Sequence, residues 1–283
     1  MTDIWVCANC HSINRQRTGK CYKCGAKQDI ADTGDMSNLR QEQAIISRTV
    51  VAYRPARTWA LVTAFLLLVF AGATIGRVLF SIEFTQFFTT ELERVVAGGT
   101  LNSKALADRA LEGLPYLLVQ AVVVLPLLLF FALWLSRVVA NVPALGGGIP
   151  NTTPGRAFVF TLVPVVNLLK VPGIIQDVLY RLDPRGGGLF MVGIAWFGLV
   201  GSAIISFVAG WYLNLRTTFD TAGAASPAKA LEALRPLITA STIVEAVSGF
   251  LIAIGSLVLI LLMVRIERRS RARDAEVRDA AGV

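Results

Sequence analysis

Residues 58–76 read TWALVTAFLLLVFAGATIG, nineteen positions without a charged side chain, closed by Arg57 on one side and Arg77 on the other. A helix rises about 1.5 Å per residue, so a run of this length covers most of the roughly 30 Å of hydrocarbon in a bilayer. Three further stretches have the same character: 113–136 between Glu112 and Arg137, 186–215, helical from about 189, and 237–264, which carries Glu245 in its first half. Four membrane-spanning helices are therefore expected, at about 58–77, 113–136, 189–213 and 240–264. Composition agrees. Of 283 residues, 54% are hydrophobic and 16% charged, with a mean hydropathy of +0.61, against about 25% charged in soluble domains. A soluble globular protein is excluded. The first run is not read as a secretory signal, because a complete cysteine module precedes it and no small-residue cleavage site follows.

Lys and Arg set the orientation, since cytoplasmic loops carry their excess. Nine precede residue 58, three lie between spans one and two, five between two and three, three between three and four, and six after residue 264. The alternation puts both termini on the cytoplasmic side of the plasma (bacterial inner) membrane. The net charge of +8 thus reports orientation before any nucleic-acid partner. A fifth apolar segment, 157–169, ends at Lys170 and is interrupted by Pro164, Asn167 and Pro172. It is too short to cross, so residues 157–181 are read as a re-entrant or interfacial helical segment. Gly198, Ser202, Ser206 and Gly210 recur every four residues and predict a close helix contact, as do Gly72 and Gly76. Pro126 predicts a kink in span two.

All four cysteines lie in residues 5–25, WVCANCHSINRQRTGKCYKCG. Cys7, Cys10, Cys21 and Cys24 form two CxxC pairs ten residues apart, a spacing that suits a closed tetrahedral Zn²⁺ site with Zn–S near 2.3 Å. About 25 residues cannot bury enough apolar surface to fold alone, so structural zinc is expected to contribute on the order of 10 to 16 kcal/mol. His11, the only histidine, is redundant as a ligand. The confinement of cysteine to this module points to a reducing compartment.

These residues resemble the Ran-binding-protein-type zinc finger: Trp5, Cys7, Cys10, Asn14, Cys21 and Cys24 all match its pattern, over residues 3–28. The resemblance implies that Trp5 covers the small core and that Asn14 fixes the backbone between knuckles. Such fingers bind ubiquitin, single-stranded RNA or protein partners. The ubiquitin binders carry a threonine and a hydrophobic residue where this chain has His11 and Ser12, and the RNA binders have a wider first cysteine pair and more stacking side chains. Arg15, Arg17, Lys20 and Lys23 could reach phosphates, but a solvated cytoplasmic face explains them as well. A protein partner is expected, with RNA as the alternative and a homo-oligomer allowed. Further on, TLVPVVNLLKVPGIIQDVLYRLDP (161–184), followed by a span with Trp196, resembles a bacterial multi-pass membrane domain of unknown function that is sometimes fused to a small zinc-binding module.

Catalysis is not expected. The spans contain no aspartate, no HExxH and no histidine, and the four thiols are committed to metal. For a ligand or ion, the candidates are Asn167 and Lys170 in the re-entrant segment and Glu245 in span four. Gln120 and Asn214 are uncharged polar groups that neighbouring helices can satisfy. The glycine triplets 146–148 and 186–188 read as flexible linkers. The domain plan is a zinc finger at 1–28, a linker (29–38) and juxtamembrane helix (39–57), a membrane domain at 58–265, and a charged tail at 266–283 in which Glu267 pairs with Arg271 and Asp274 with Arg278. The expectation is an all-α membrane protein in which a cytoplasmic finger serves as a tethered interaction or regulatory module. The alternative is a small transporter or lipid-handling protein using residues 157–181.

Overall fold

The computed structural model describes residues 4–6, 13–15, 21, 53–183, 188–223 and 227–281. Two short strands, β1 (Ile4–Val6) and β2 (Ile13–Arg15), pair antiparallel with Trp5 opposite Asn14. The rest is helical: α1 (Arg57–Val96), α2 (Ser103–Leu111), α3 (Leu114–Asn141), α4 (Pro154–Leu162), α5 (Pro164–Leu182), α6 (Leu189–Trp196), a π-helical turn (Phe197–Gly201), α7 (Ser202–Ala222) and α8 (Pro227–Ala281). Four helical stretches are long and apolar enough to cross a membrane, 57–96, 103–141, 189–220 and 232–279. They carry large apolar side chains outward, among them Phe65, Leu125, Phe207 and Phe250, which in water would be a severe penalty and in hydrocarbon is none. The chain is an integral, multi-pass membrane protein.

The helices run well past the apolar stretches that announce them. At 1.5 Å per residue α1, with 40 residues, extends about 60 Å, and α8, with 55, about 80 Å. A charged residue ends an apolar run but does not end a helix when it finds a partner. Beyond Arg77, α1 continues through Glu83, Glu91 and Glu93. Arg109 reaches Glu83 at 2.9 Å, and Arg235 of α8 reaches Glu93 at 2.8 Å. Phe80, Phe84 and Phe88 stack at helical spacing on the same stretch, and Phe80 lies over Gly113, where any side chain would strike its ring.

The apolar core gathers at the opposite end, called here the terminal face, where α1 begins and the apolar part of α8 ends. Trp134, Leu135 and Val139 of α3, Val171, Ile175 and Val178 of α5, and Leu262, Met263 and Ile266 of α8 are buried together. Asn141, buried at the end of α3, accepts from the Arg54 amide (3.2 Å) and donates to the Arg54 carbonyl (2.7 Å), so it holds the entering chain. Tyr53–Ala56 has no regular structure, and α1 starts at Arg57 after Pro55. Residues 53–56 of the expected juxtamembrane helix are therefore not helical, and residues 39–52 lie outside the described residues. The tail differs from expectation too. Ile266, Glu267 and Ser270 are buried, and the Glu267 carboxylate accepts from the Trp134 indole N–H at 3.2 Å, while Arg271 turns to the Glu267 backbone carbonyl instead. Only the Asp274–Arg278 pair forms as the spacing suggests, at 2.9 Å.

The segment expected as one helical unit at 157–181 is two helices that begin earlier, at Pro154, where the Thr153 side chain caps the first turn. They are divided at Val163, whose extended backbone (ψ 111°) precedes Pro164, as the steric demand of a following proline requires. Pro126 is accommodated inside a continuous α3. The small-residue stripe is used only in part. A Cβ on Gly198 would strike the Leu251 carbonyl and the Gly255 backbone, and Ser202 is fully buried, whereas Ser206 is exposed and Gly210 has open space around it. Gly72 also faces open space, and Gly76 lies under the Tyr116 ring.

Candidate functional site

Two groups of polar residues sit inside the helical bundle. The first joins α1, α3 and α8. The Arg77 guanidinium donates to the Glu245 carboxylate through Nε and to the Gln120 carbonyl oxygen through Nη1 at 3.3 Å, and the Gln120 amide donates to the Thr74 hydroxyl at 2.8 Å. Farther toward the far end, the Thr85 and Thr242 hydroxyls meet at 2.6 Å. Arg77 and Glu245 are the only oppositely charged pair bridging helices at this depth among the described residues, and each serves as the other's counter-ion. Glu245 is a candidate ligand by sequence; the structure gives it a fixed partner on α1. Arg77, which by sequence only marks the edge of span one, is that partner. Its role is visible in residue arithmetic: Arg77 is 19 residues after Thr58 and Glu245 is 19 before Val264, while Thr74 is 16 after Thr58 and Gln120 is 16 before Ser136. Equal depth from the terminal face brings the pairs level.

The second group is the α4–α5 hairpin. Asn167 donates its side-chain amide to the Thr161 carbonyl at 2.6 Å, closing the hairpin tip. Lys170 is exposed and directed away from the buried face of α5. The three candidates Asn167, Lys170 and Glu245 therefore fall into separate clusters: Asn167 stabilises a turn, Lys170 faces outward, and Glu245 bridges helices elsewhere. Asn214 is exposed on α7. The hairpin runs antiparallel to α6. Gly188 lies against Leu179, and the Trp196 indole donates to the Leu168 carbonyl at 3.0 Å. That carbonyl is available because Pro172, four residues on, has no N–H to give it.

The glycine triplet at 146–148 is a built turn rather than a slack linker. Gly146 and Gly148 take φ of 71° and 73°, a region that other residues enter only with strain. Arg181 fixes the turn by donating to the Gly147 carbonyl (3.1 Å), to Asn151 (3.3 Å) and to Asp177 (2.8 Å), and Asp177 in turn accepts from the Asn151 backbone and side chain. Sequence reading misses this network because Arg181 and Asp177 lie some 30 residues from the turn they fix. Of the second glycine triplet, Gly188 alone lies among the described residues.

Of the cysteine module, the described residues include β1, β2 and Cys21, which is buried; Cys7, Cys10 and Cys24 lie outside them. The β1–β2 ladder pairs residues on either side of the first CxxC, with Val6 opposite Ile13. Comparison with curated proteins and with solved structures yields no match. Residues 102–269 match a domain of unknown function, DUF4328. That match takes in α2 to α7 and the apolar length of α8, more than half of the chain, and the protein belongs to the DUF4328 family.

Proposed function

We propose that the chain is a membrane-tethered interaction module, in which the four-span domain holds a four-cysteine zinc finger at the cytoplasmic face, where it captures a protein partner. The observation that carries this reading is the pair of CxxC motifs together with an antiparallel ladder, Trp5 opposite Asn14, whose strands flank the first of them in sequence. The donor set fits zinc. Cys7, Cys10, Cys21 and Cys24 would supply four thiolates, which fill a tetrahedral shell and leave no open position for a substrate or water. The metal would provide folding energy to a segment too small to fold by itself. The Arg77–Glu245–Gln120–Thr74 group and the Arg181–Asp177–Asn151 group are each engaged internally, which favours a scaffold over a catalyst.

Residues 1–57 carry nine Lys and Arg, and the last stretch after residue 264 carries six, which supports cytoplasmic termini. The same charges would hold both segments against an anionic leaflet. The test is affinity capture from the native host with the full chain, with a Cys21→Ser variant and with a chain lacking residues 1–38, each checked for membrane insertion. A partner that is retained by the full chain and lost from both variants supports the proposal. Identical capture by all three chains refutes it, and capture of RNA in place of protein would redirect it.

A further inference from the structure

The bundle wall is open between α5 and α6. A groove of about 390 Å³ runs there, lined by Pro172 and Gln176 of α5, Gly193 and Trp196 of α6, Phe197 of the π turn and Ile204 of α7. That volume falls in the roughly 300–1,000 Å³ range of small-molecule sites. Two backbone irregularities form it. Pro172 interrupts the hydrogen-bond ladder of α5, and the π turn at Phe197–Gly201 inserts an extra residue into the α6–α7 helix; such turns often mark functional sites. Gly193 leaves the floor empty, since a Cβ there would meet nothing within 4 Å.

The surroundings of the groove limit what can occupy it. Gly193, Trp196, Phe197 and Ile204 all lie within the uncharged run 189–215, on a helix long and apolar enough to cross the membrane. A groove at that depth opens on acyl chains, not water. Because the Trp196 N–H is already given to Leu168, Trp196 offers the groove an apolar ring. The polar member is Gln176, whose side-chain amide has no hydrogen-bond partner among the described residues. Seven residues further along α5, about 10 Å, Asp183 receives both Arg265 (3.4 Å) and Arg269 (3.1 Å) on one carboxylate oxygen. Two guanidinium groups, Arg265 and Arg269, thus stand at that rim.

We propose that this groove holds one phospholipid from the leaflet on the terminal face. Its acyl chain lies along Gly193, Trp196 and Ile204, an ester carbonyl accepts from the Gln176 amide, and an anionic headgroup sits at the level of Arg265 and Arg269. This is a retained lipid, distinct from the exchanging layer around the bundle, and it is independent of the zinc finger.

The test uses the full chain in nanodiscs of mixed phosphatidylglycerol and phosphatidylcholine, released for native mass spectrometry, beside a parallel reaction with phosphatidylglycerol bearing a diazirine in its acyl chain. Wild type should retain one phospholipid, predominantly phosphatidylglycerol, and the diazirine should label peptides containing Gly193 to Ile204 above other lipid-facing peptides. Gly193→Phe, whose Cβ meets nothing within 4 Å, places its ring in the groove and should lose both signals. Gly173→Phe, on the exposed side of α5 where a Cβ also meets nothing, should keep them. If Gly193→Phe fails to insert, the labelling of wild type alone decides. Labelling spread evenly over the lipid-facing surface, or equal lipid retention in both glycine variants, overturns the proposal. Retention without headgroup preference overturns its phosphate part.

Discussion

The Trp196 indole N–H and the Leu168 carbonyl, 28 positions apart in the chain, are joined at 3.0 Å, and the bond repairs a gap that Pro172 opens in the ladder of α5. It fixes the hairpin against α6 one residue before the π turn begins. An orphaned carbonyl in apolar surroundings costs about 1–3 kcal/mol. Trp196→Phe should therefore lower stability by about that amount, seen as a lower midpoint in detergent unfolding. The cost should shrink in a Pro172→Ala background, where the alanine backbone supplies the missing N–H. An unchanged cost in that background would mean that ring volume, not the hydrogen bond, is what Trp196 contributes.

The crossing of α6 and the π turn over α8 depends on two glycines that touch backbone to backbone, Gly198 and Gly255. Gly198→Leu has nowhere to place its side chain and should destabilise by about 1–3 kcal/mol or prevent assembly, the usual penalty for overfilling a close contact. Gly210→Leu, on the same stripe but in open space, should change stability by less than about 0.5 kcal/mol. Thermal aggregation midpoints of the two variants separate the cases, and equal loss would show that the whole stripe is in contact.

How much of this is legible in the sequence depends on the range of the cause. The four spans follow from uncharged length alone, a local property, and they are where the composition puts them. The helix ends are not legible, because Glu83, Glu93 and Arg109 find partners on other helices, which no local window registers. The division at Val163 is signalled by Pro164, and the interruption in α5 by Pro172, but their repair by Asn167 and Trp196 requires knowing which helices are neighbours. The small-residue stripe holds at Gly198 and Ser202 and fails at Ser206 and Gly210, because periodicity gives a face and not how far a neighbour follows it. Arg77 and Glu245 can be matched by equal depth, a comparison across spans that a pass along one span does not make.

That pair predicts non-additivity. Arg77→Gln leaves the Glu245 carboxylate without its counter-ion, and Glu245→Gln does the same to Arg77, so each single change should destabilise. Arg77→Gln with Glu245→Gln together leaves two neutral amides able to bond each other. The double variant should be less damaged than the sum of the two, with a coupling of about 0.5–3 kcal/mol. Additive losses in a four-member unfolding cycle would mean that the two side chains act independently.

Tyr53 offers a test at alkaline pH. Its hydroxyl is buried without a hydrogen-bond partner among the described residues, and burial, followed by the negative charge of Glu267, holds its pKa above the usual 10.0. The native state keeps the phenol proton longer than the denatured chain does. The group's contribution is thus fully present below the denatured-state value and is lost as pH rises through the native one. Tyr53→Phe should be neutral or stabilising at pH 7 and should flatten the fall in stability above about pH 10. A variant that loses stability at neutral pH would show that the hydroxyl is paired after all.

Metal content tests the finger separately from the bundle. Four thiolates in two CxxC pairs predict one zinc per chain, measured by elemental analysis of the purified protein, with none retained after Cys21→Ser or after prolonged treatment with a strong chelator. Structural zinc coupled to folding should also make the segment before residue 30 resistant to limited proteolysis when loaded and cleavable when stripped. The contacts that hold the bundle, among them Trp134 to Glu267 and Asn141 to Arg54, involve no cysteine, so stripping should leave helical content and membrane insertion unchanged. A chain that purifies without metal while its first thirty residues resist protease would remove zinc, and with it the basis for reading the finger as the part of the protein that meets a partner.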